Sequence, residues 1–152
     1  MKQYPRIIAV GIFIFVTSLF FVVFLNPQKQ TSVSAPVVMS QDMKKDLIVL
    51  DTLREGDSVS SPLHITGKAR GTWYFEASFP VVFLDSQGKE IGNGIATAVG
   101  DWMTTDFVPF IVDVAFVSQN ATSGTLIFKK DNPSGDKIRD DQLVIPVVFT
   151  SL

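Results

Sequence analysis

The sequence predicts an all-β sandwich domain preceded by one N-terminal transmembrane helix. Three observations support this prediction: an uncharged apolar block near the N-terminus, period-two alternation of apolar residues from Leu47 onward, and turn residues that regularly interrupt the alternation. A chain of 152 residues has room for one domain and an anchor. Its length therefore excludes a two-domain enzyme.

The apolar block at residues 7–25 contains no charged residue and is rich in Ile, Val, Leu and Phe. As an α-helix it would rise about 28 Å, close to the roughly 30 Å hydrocarbon thickness of a bilayer. A cleaved signal peptide is the rival interpretation, but its apolar region is usually only about 7–15 residues long and ends at a small-residue site that this block lacks. We therefore expect an uncleaved membrane anchor.

Positive charge predicts the orientation of this anchor. Lys2 and Arg6 precede the block, whereas only Lys29 follows it closely. Because positive residues favour the cytoplasmic side, residues 1–6 are expected to be cytoplasmic and the chain after residue 25 extracytoplasmic. The expected location is the plasma membrane, which the chain would cross once.

Residues 26–44 are rich in Pro, Gln, Ser and Thr, have little periodic apolar content, and are predicted to form a flexible linker. The folded domain is expected over residues 45–152, which contain 9 Lys and Arg against 14 Asp and Glu. This acidic balance excludes nucleic acid as a partner, since phosphate binding needs a basic face. The absence of cysteine excludes disulfides, cysteine-based zinc sites and cysteine nucleophiles.

Strands are predicted in order along the domain. The first covers residues 48–51, and in the second, at 63–70, Ile65 and Ala69 face the core while His64 and Lys68 face solvent. A central strand at 73–84 is expected to carry a large apolar load on one face, with a bulge or break in pairing near Pro80. That inward face consists of Trp73, Phe75, Ala77, Phe79, Val81 and Phe83.

A reversal at residues 85–88 leads to a returning strand at 89–99, because Gly88 is available for positive φ. The remaining inward rows are Phe110, Val112, Val114 and Phe116, then Leu126 and Phe128, then Leu143, Ile145, Val147 and Phe149. About seven strands in roughly 105 residues predict an immunoglobulin-like β-sandwich. A small open barrel, with about five strands, is the main rival fold.

Several short motifs in this domain resemble the Gmad2 family, the immunoglobulin-like domain of bacterial spore germination proteins. They are Val59-Ser60-Ser61-Pro62-Leu63, Gly71-Thr72-Trp73-Tyr74-Phe75-Glu76-Ala77-Ser78-Phe79, Gly100-Asp101-Trp102-Met103, Phe107-Val108-Pro109-Phe110, Asn132-Pro133-Ser134-Gly135 and Ile145-Pro146-Val147. The resemblance extends over residues 48–149. It implies an immunoglobulin-like fold in a membrane-associated or exported bacterial protein, with no established catalytic activity and no cofactor. Family members often carry a GerMN domain, which does not fit between the predicted span and Leu47.

Four residues are candidate ligand contacts: Tyr74, Glu76, Asp101 and Trp102. The two aromatic residues combine an apolar ring with a polar group, as recognition sites often do, whereas Trp73 is expected in the core. Glu76 and Asp101 could be the paired carboxylates of a glycan hydrolase if the two acids lie about 5–9.5 Å apart across a cleft. Otherwise Glu76 is a polar strand residue and Asp101 a turn residue.

Two further groups of polar residues suggest less. His64 is the only histidine, and no Gly-x-Ser-x-Gly segment accompanies it, so a solvent-facing role is expected. The acidic loop at 131–141 could bind calcium through carboxylates, but its spacing is not that of an EF-hand. We therefore expect its acidic residues to be solvated turn residues. The carboxylates are those of Asp131, Asp136, Asp140 and Asp141.

These observations predict a non-catalytic interaction module. Its exposed strand edges or end loops would contact another envelope protein or a cell-wall polymer, and it would need no cofactor. The alternative is an envelope glycan hydrolase that uses Glu76 and Asp101.

Overall fold

The computed structural model describes residues 41–150, which form a β-rich unit with its own hydrophobic core. Within this part of the chain there are eight strands, one short α-helix and two short 3₁₀ helices. The elements in chain order are α1 (Gln41–Lys44), β1 (Ile48–Leu50), β2 (Ser58–Val59), β3 (Leu63–Arg70), a 3₁₀ helix (Gly71–Trp73), β4 (Ser78–Asp85), β5 (Glu90–Ala98), β6 (Phe107–Phe116), β7 (Ser123–Lys129), a 3₁₀ helix (Lys137–Arg139) and β8 (Gln142–Phe149).

The strands are hydrogen-bonded in the order β1-β3-β6-β5-β4-β7-β8-β2. All pairs are antiparallel except β2 with β8. The halves β1-β3-β6-β5 and β4-β7-β8-β2 correspond to the two layers of an immunoglobulin sandwich, with the two-residue β2 as an added edge strand. Pairing between β4 and β5 joins the layers along one side. The fold agrees with the predicted immunoglobulin-like sandwich and differs from the five-stranded barrel.

The core lies between the two layers and is built by the predicted inward rows. In β3, Ile65 and Ala69 are fully buried, while His64 and Lys68 on the other face are exposed. The same alternation holds along β6, where every second side chain from Val108 to Phe116 is buried. The rows of β7 and β8 are buried too, with Phe149 at the edge of the core. Period two therefore identified the core faces of four strands correctly.

The predicted central strand at 73–84 is wrong in its first half. β4 begins only at Ser78, because the chain first forms a 3₁₀ helix and then a tight turn closed by reciprocal backbone hydrogen bonds between Phe75 and Ser78 (3.0 and 3.1 Å). Both central residues of this turn, Glu76 and Ala77, have positive φ (50° and 61°). The turn breaks the alternation, so Trp73 and Tyr74 are both buried whereas Phe75 is exposed.

The pairing irregularity in β4 is also displaced from its predicted position. The register with β5 shifts between Phe83 and Leu84, not near Pro80. Pro80 precedes the ladder between β4 and β7, which starts at Val81. A residue without an N–H group is tolerated there because that ladder has not yet begun.

The loops fall at two ends of the sandwich. We call the end where the described chain begins the entry end, and define it as residues 41–47, 70–77, 99–107 and 129–142. The registers Ile48↔Ala69, Arg70↔Phe107, Ser78↔Thr97 and Lys129↔Gln142 bring these segments to the same end. The opposite end, which we call the far end, holds residues 58–62, 85–90, 117–122 and 149–150.

Of the described residues, none belongs to a helix long and apolar enough to cross a membrane. The predicted cytoplasmic segment 1–6, the predicted span 7–25 and most of the predicted linker 26–44 lie outside residues 41–150. The last four residues of that linker form α1, which contacts β1 and β8.

Candidate functional site

The four candidate residues all lie at the entry end, on two loops that contact each other. Tyr74 and Glu76 belong to the loop before β4, and Asp101 and Trp102 to the loop before β6. The Gly71 N–H donates to the Asp106 carbonyl at 3.0 Å. A Cβ on Gly71 would lie 1.9 Å from the Thr104 carbonyl oxygen, so only glycine permits this approach. The pair of loops encloses a shallow depression of about 490 Å³.

Tyr74 is a buried structural residue of this site. Its side chain is 4% exposed, its hydroxyl donates to the Val108 carbonyl at 2.7 Å, and its ring packs edge-on against Phe79 with centroids 5.1 Å apart. Burial raises the pKa of the Tyr74 phenol above its ordinary value, because the charged phenolate is poorly solvated there. A ligand in the depression would reach only the part of Tyr74 that lines its wall.

Trp102 and Asp101 differ in their roles. Trp102 packs partly against the core and lines the depression next to the exposed Met103. Asp101 accepts a hydrogen bond from the Met103 N–H at 3.0 Å through Oδ1, as a turn residue does. The structure thus brings Tyr74 and Trp102 into one depression.

The two carboxylates proposed for a hydrolase do not share that depression. Glu76 lies in the turn at 75–78, Asp101 binds the backbone of its own loop, and neither lines the depression. Paired carboxylates act on a glycan only when they flank the same bond across a cleft. The geometry gives the hydrolase hypothesis no support.

Trp73 is confirmed as a core residue. It is buried and meets Phe79 edge-on, with ring centroids 6.5 Å apart. Its indole Nε1 has no hydrogen-bond partner among the described residues, while its carbonyl accepts from the Asp131 N–H at 3.0 Å. This last contact joins the loop before β8 to the loop before β4.

Hydrogen bonds within the acidic loop use its carboxylates to stabilise the turn. Asp140 Oδ1 accepts from the Asn132 side-chain amide at 2.7 Å, and Asp136 Oδ1 accepts from the Ile138 N–H at 3.1 Å. Asp141 forms an ion pair with Lys44 of α1. Throughout residues 41–150, no three or more His, Asp or Glu side chains are grouped in a way that could hold a metal ion.

His64 is solvent-facing, as predicted. It lies on the outer face of β3, where its Nδ1 is 2.7 Å from Oδ1 of Asp113 on the neighbouring strand β6. Both side chains are exposed. This cross-strand pair is a surface feature and not part of a catalytic triad.

Sequence reasoning missed a groove of about 320 Å³ at the far end. Phe116 and Phe149 line it with ring centroids 5.4 Å apart, and its other lining groups include hydroxyl and amide side chains. Those polar residues are Ser60, Ser61, Ser118, Gln119 and Thr150. A second depression of about 330 Å³ shares several of these residues and continues along 120–122.

Among the described residues, no charged side chain lines the groove or the second depression. The groove combines an apolar floor with uncharged hydrogen-bonding groups, which suits a neutral ligand. Its residues come from the ends of β2, β6 and β8, and no motif connects such distant segments. In the sequence, both phenylalanines are ordinary members of the predicted inward rows. The Ser-rich segment at 58–61 was therefore the one sequence feature that could have indicated the groove.

Comparison with known proteins supports the family suggested by the motifs. No curated protein and no solved structure matches this chain. Residues 48–137 match the family Gmad2, described as the immunoglobulin-like domain of bacterial spore germination. The match covers more than half of the chain, and the strand order is that of an immunoglobulin sandwich. The chain therefore belongs to the Gmad2 family of immunoglobulin-like domains.

Proposed function

We propose that this protein is a non-catalytic interaction module, anchored by residues 7–25 in a bacterial plasma membrane, whose extracytoplasmic domain binds an envelope protein or a cell-wall polymer. The observation that carries the proposal is the far-end groove, whose described lining residues are uncharged and which lies opposite the entry end. A domain tethered at one end presents the other end to partners. Membership in a family described by bacterial spore germination supports a role of this kind.

The chemistry of the groove favours a neutral peptide or glycan segment. Phenyl rings offer apolar area to a sugar or peptide face, and Ser, Gln and Thr side chains can donate and accept hydrogen bonds. The described residues that line the groove are uncharged, so they give no electrostatic preference for anionic or cationic ligands. Shallow depressions of this size suit a segment of a larger partner better than an enclosed small molecule.

Photocrosslinking in intact cells tests this function. A photoreactive amino acid is placed at Val117, which lines the groove and is 69% exposed, and in a second variant at Ile95, an exposed apolar residue on the outer face of β5. We expect a discrete crosslinked product from position 117 and much less from position 95. Digestion of the product by a protease or by a muramidase then identifies the partner as protein or cell-wall polymer. Equal or absent crosslinking at both positions would refute the role of the groove.

A further inference from the structure

Exposed apolar side chains concentrate at the entry end. Of the ten large hydrophobic residues that are exposed in the described part of the chain, six lie there: Met43, Leu47, Phe75, Val99, Met103 and Ile138. Of the same ten residues, Val117 alone lies in the far-end loop at 117–122. Met103 and Ile138 are the most exposed of the six, at 77% and 88%. Exposed apolar side chains that gather at one end of a domain suggest a contact surface.

Backbone contacts connect the segments that carry these side chains. The Arg70 N–H donates to the Leu47 carbonyl at 2.8 Å, which joins the entry segment to the end of β3. The loop before β4 contacts the loops before β6 and before β8 through the Gly71 and Asp131 N–H groups, both at 3.0 Å. The apolar residues therefore belong to one continuous end of the sandwich.

The position of the chain entry indicates what this end faces. The predicted span ends at residue 25 and α1 begins at Gln41, so residues 26–40 connect them. If residues 26–40 form the flexible linker that the sequence predicts, its typical end-to-end distance would be about 20 Å. Such a linker, joined to the membrane anchor of the proposed function, would keep the entry end at a high effective concentration near lipid.

Charge at the entry end is nearly balanced, with 7 Lys and Arg against 9 Asp and Glu in the segments that define it. Several of these charges are paired locally, as in Lys44 with Asp141 and Arg139 with Asp136 at 3.8 Å. Electrostatic attraction to anionic headgroups therefore contributes little. Contact with a membrane would depend on apolar side chains that enter the interfacial region.

We propose that the entry end rests on the lipid surface, with Met103 and Ile138 in the interfacial region and the far-end groove directed away from the membrane. This inference rests on the membrane anchor of the proposed function. Both side chains are apolar and highly exposed; Met103 lies on the loop before β6 and Ile138 on the short 3₁₀ helix before β8. They could therefore enter the headgroup layer without exposing the core.

The absence of cysteine allows single spin labels to test this arrangement in the full chain. Met103→Cys, Ile138→Cys and the matched exposed control Val117→Cys are labelled with a nitroxide and reconstituted in lipid nanodiscs. Collision rates are measured with oxygen, which concentrates in lipid, and with a water-soluble nickel chelate. We expect the nickel collision rate at positions 103 and 138 to be several-fold lower than at 117, and the oxygen rate to be higher.

Two outcomes overturn the inference without affecting the anchor. Equal nickel accessibility at all three positions would show that the entry end is in water. Dipolar broadening at position 103 in discs that hold two copies, absent in discs that hold one, would identify a second copy as the occupant. Failure of the full chain to remain with the lipid after alkaline carbonate extraction would instead refute the anchor and with it the proposed function.

Discussion

Replacing Tyr74 with phenylalanine removes one hydroxyl group from a buried position and changes little else. The hydroxyl donates to the Val108 carbonyl at 2.7 Å, and the side chain is 4% exposed, so water cannot readily replace it as a donor. The ring contact with Phe79 is retained in Tyr74→Phe. The substitution therefore isolates the contribution of a single buried hydrogen bond that connects the loop before β4 to β6.

The expected cost is about 1–2 kcal/mol in the free energy of unfolding, because a net hydrogen bond is lost and the carbonyl is left without that partner. For a domain near 100 residues this lowers Tm by roughly 5–10 °C. Urea unfolding of the full chain in detergent, followed by tryptophan fluorescence, measures it, since Trp73 and Trp102 both lie in the domain. Tyr4→Phe is the matched control and should leave domain unfolding unchanged.

The pH dependence of the free energy of unfolding provides a second test of the role of Tyr74. Burial raises the pKa of Tyr74 above its ordinary value of 10.0, so above about pH 10 the unfolded chain releases a proton that the folded chain retains. This contribution to stability is fully present below that pH and is lost as pH rises above it. The stability difference between the wild type and Tyr74→Phe should therefore shrink at alkaline pH. A variant within about 0.3 kcal/mol of the wild type, or with the same alkaline profile, would refute this reasoning.

Three other substitutions test the entry end by urea unfolding. Gly71→Ala should lower the free energy of unfolding by more than about 2 kcal/mol, because the new Cβ would overlap the backbone of the loop before β6. Thr72→Ala, at the exposed neighbouring position, is the control and should cost under about 0.5 kcal/mol. Similar costs for the two variants would contradict the close approach of the two loops. Lys44→Met removes the ion-pair partner of Asp141, which keeps its hydrogen bond from the Gln142 N–H, and should cost about 1–3 kcal/mol. The double variant Lys44→Met with Asp141→Leu should recover part of this cost; a double variant less stable than the single one would argue against this. Ala77→Gly should stabilise by about 0.5–1 kcal/mol, because φ is 61° at this position; destabilisation would show that the turn carries no strain.

The sequence predicted the regular strands well and the loops poorly. Residues 63–70 alternate apolar and polar side chains strictly, and residues 107–116 contain the predicted inward row of Phe110, Val112, Val114 and Phe116. Both segments form strands with the predicted inward faces. The residue pattern at 73–77 predicts a continuation of β4, but Glu76 and Ala77 adopt positive φ and reverse the chain. Neither residue type is typical of such a turn, so local preference gave no indication of it.

The candidate site shows the same limit. Tyr74 and Trp102 meet in one depression, as a shared site requires. The burial of Tyr74, however, depends on its contacts with Val108, which is distant in sequence, and with Phe79, which the turn at 75–78 brings back against it. The separation of Glu76 and Asp101 from a common cleft also depends on loop geometry. The membrane anchor at 7–25 stays a prediction from hydropathy and charge.

Composition, periodicity and motifs were sufficient to predict the fold class, the family and the core faces of the long strands. Each of these properties depends on patterns among residues that are close in sequence. Only the tertiary structure decided which loops meet at the entry end and that Phe116 and Phe149 line one uncharged groove at the far end. Those meetings depend on strand pairings between residues far apart in sequence, and on which side of a paired strand remains uncovered. Neither property has a local signal in the amino-acid order.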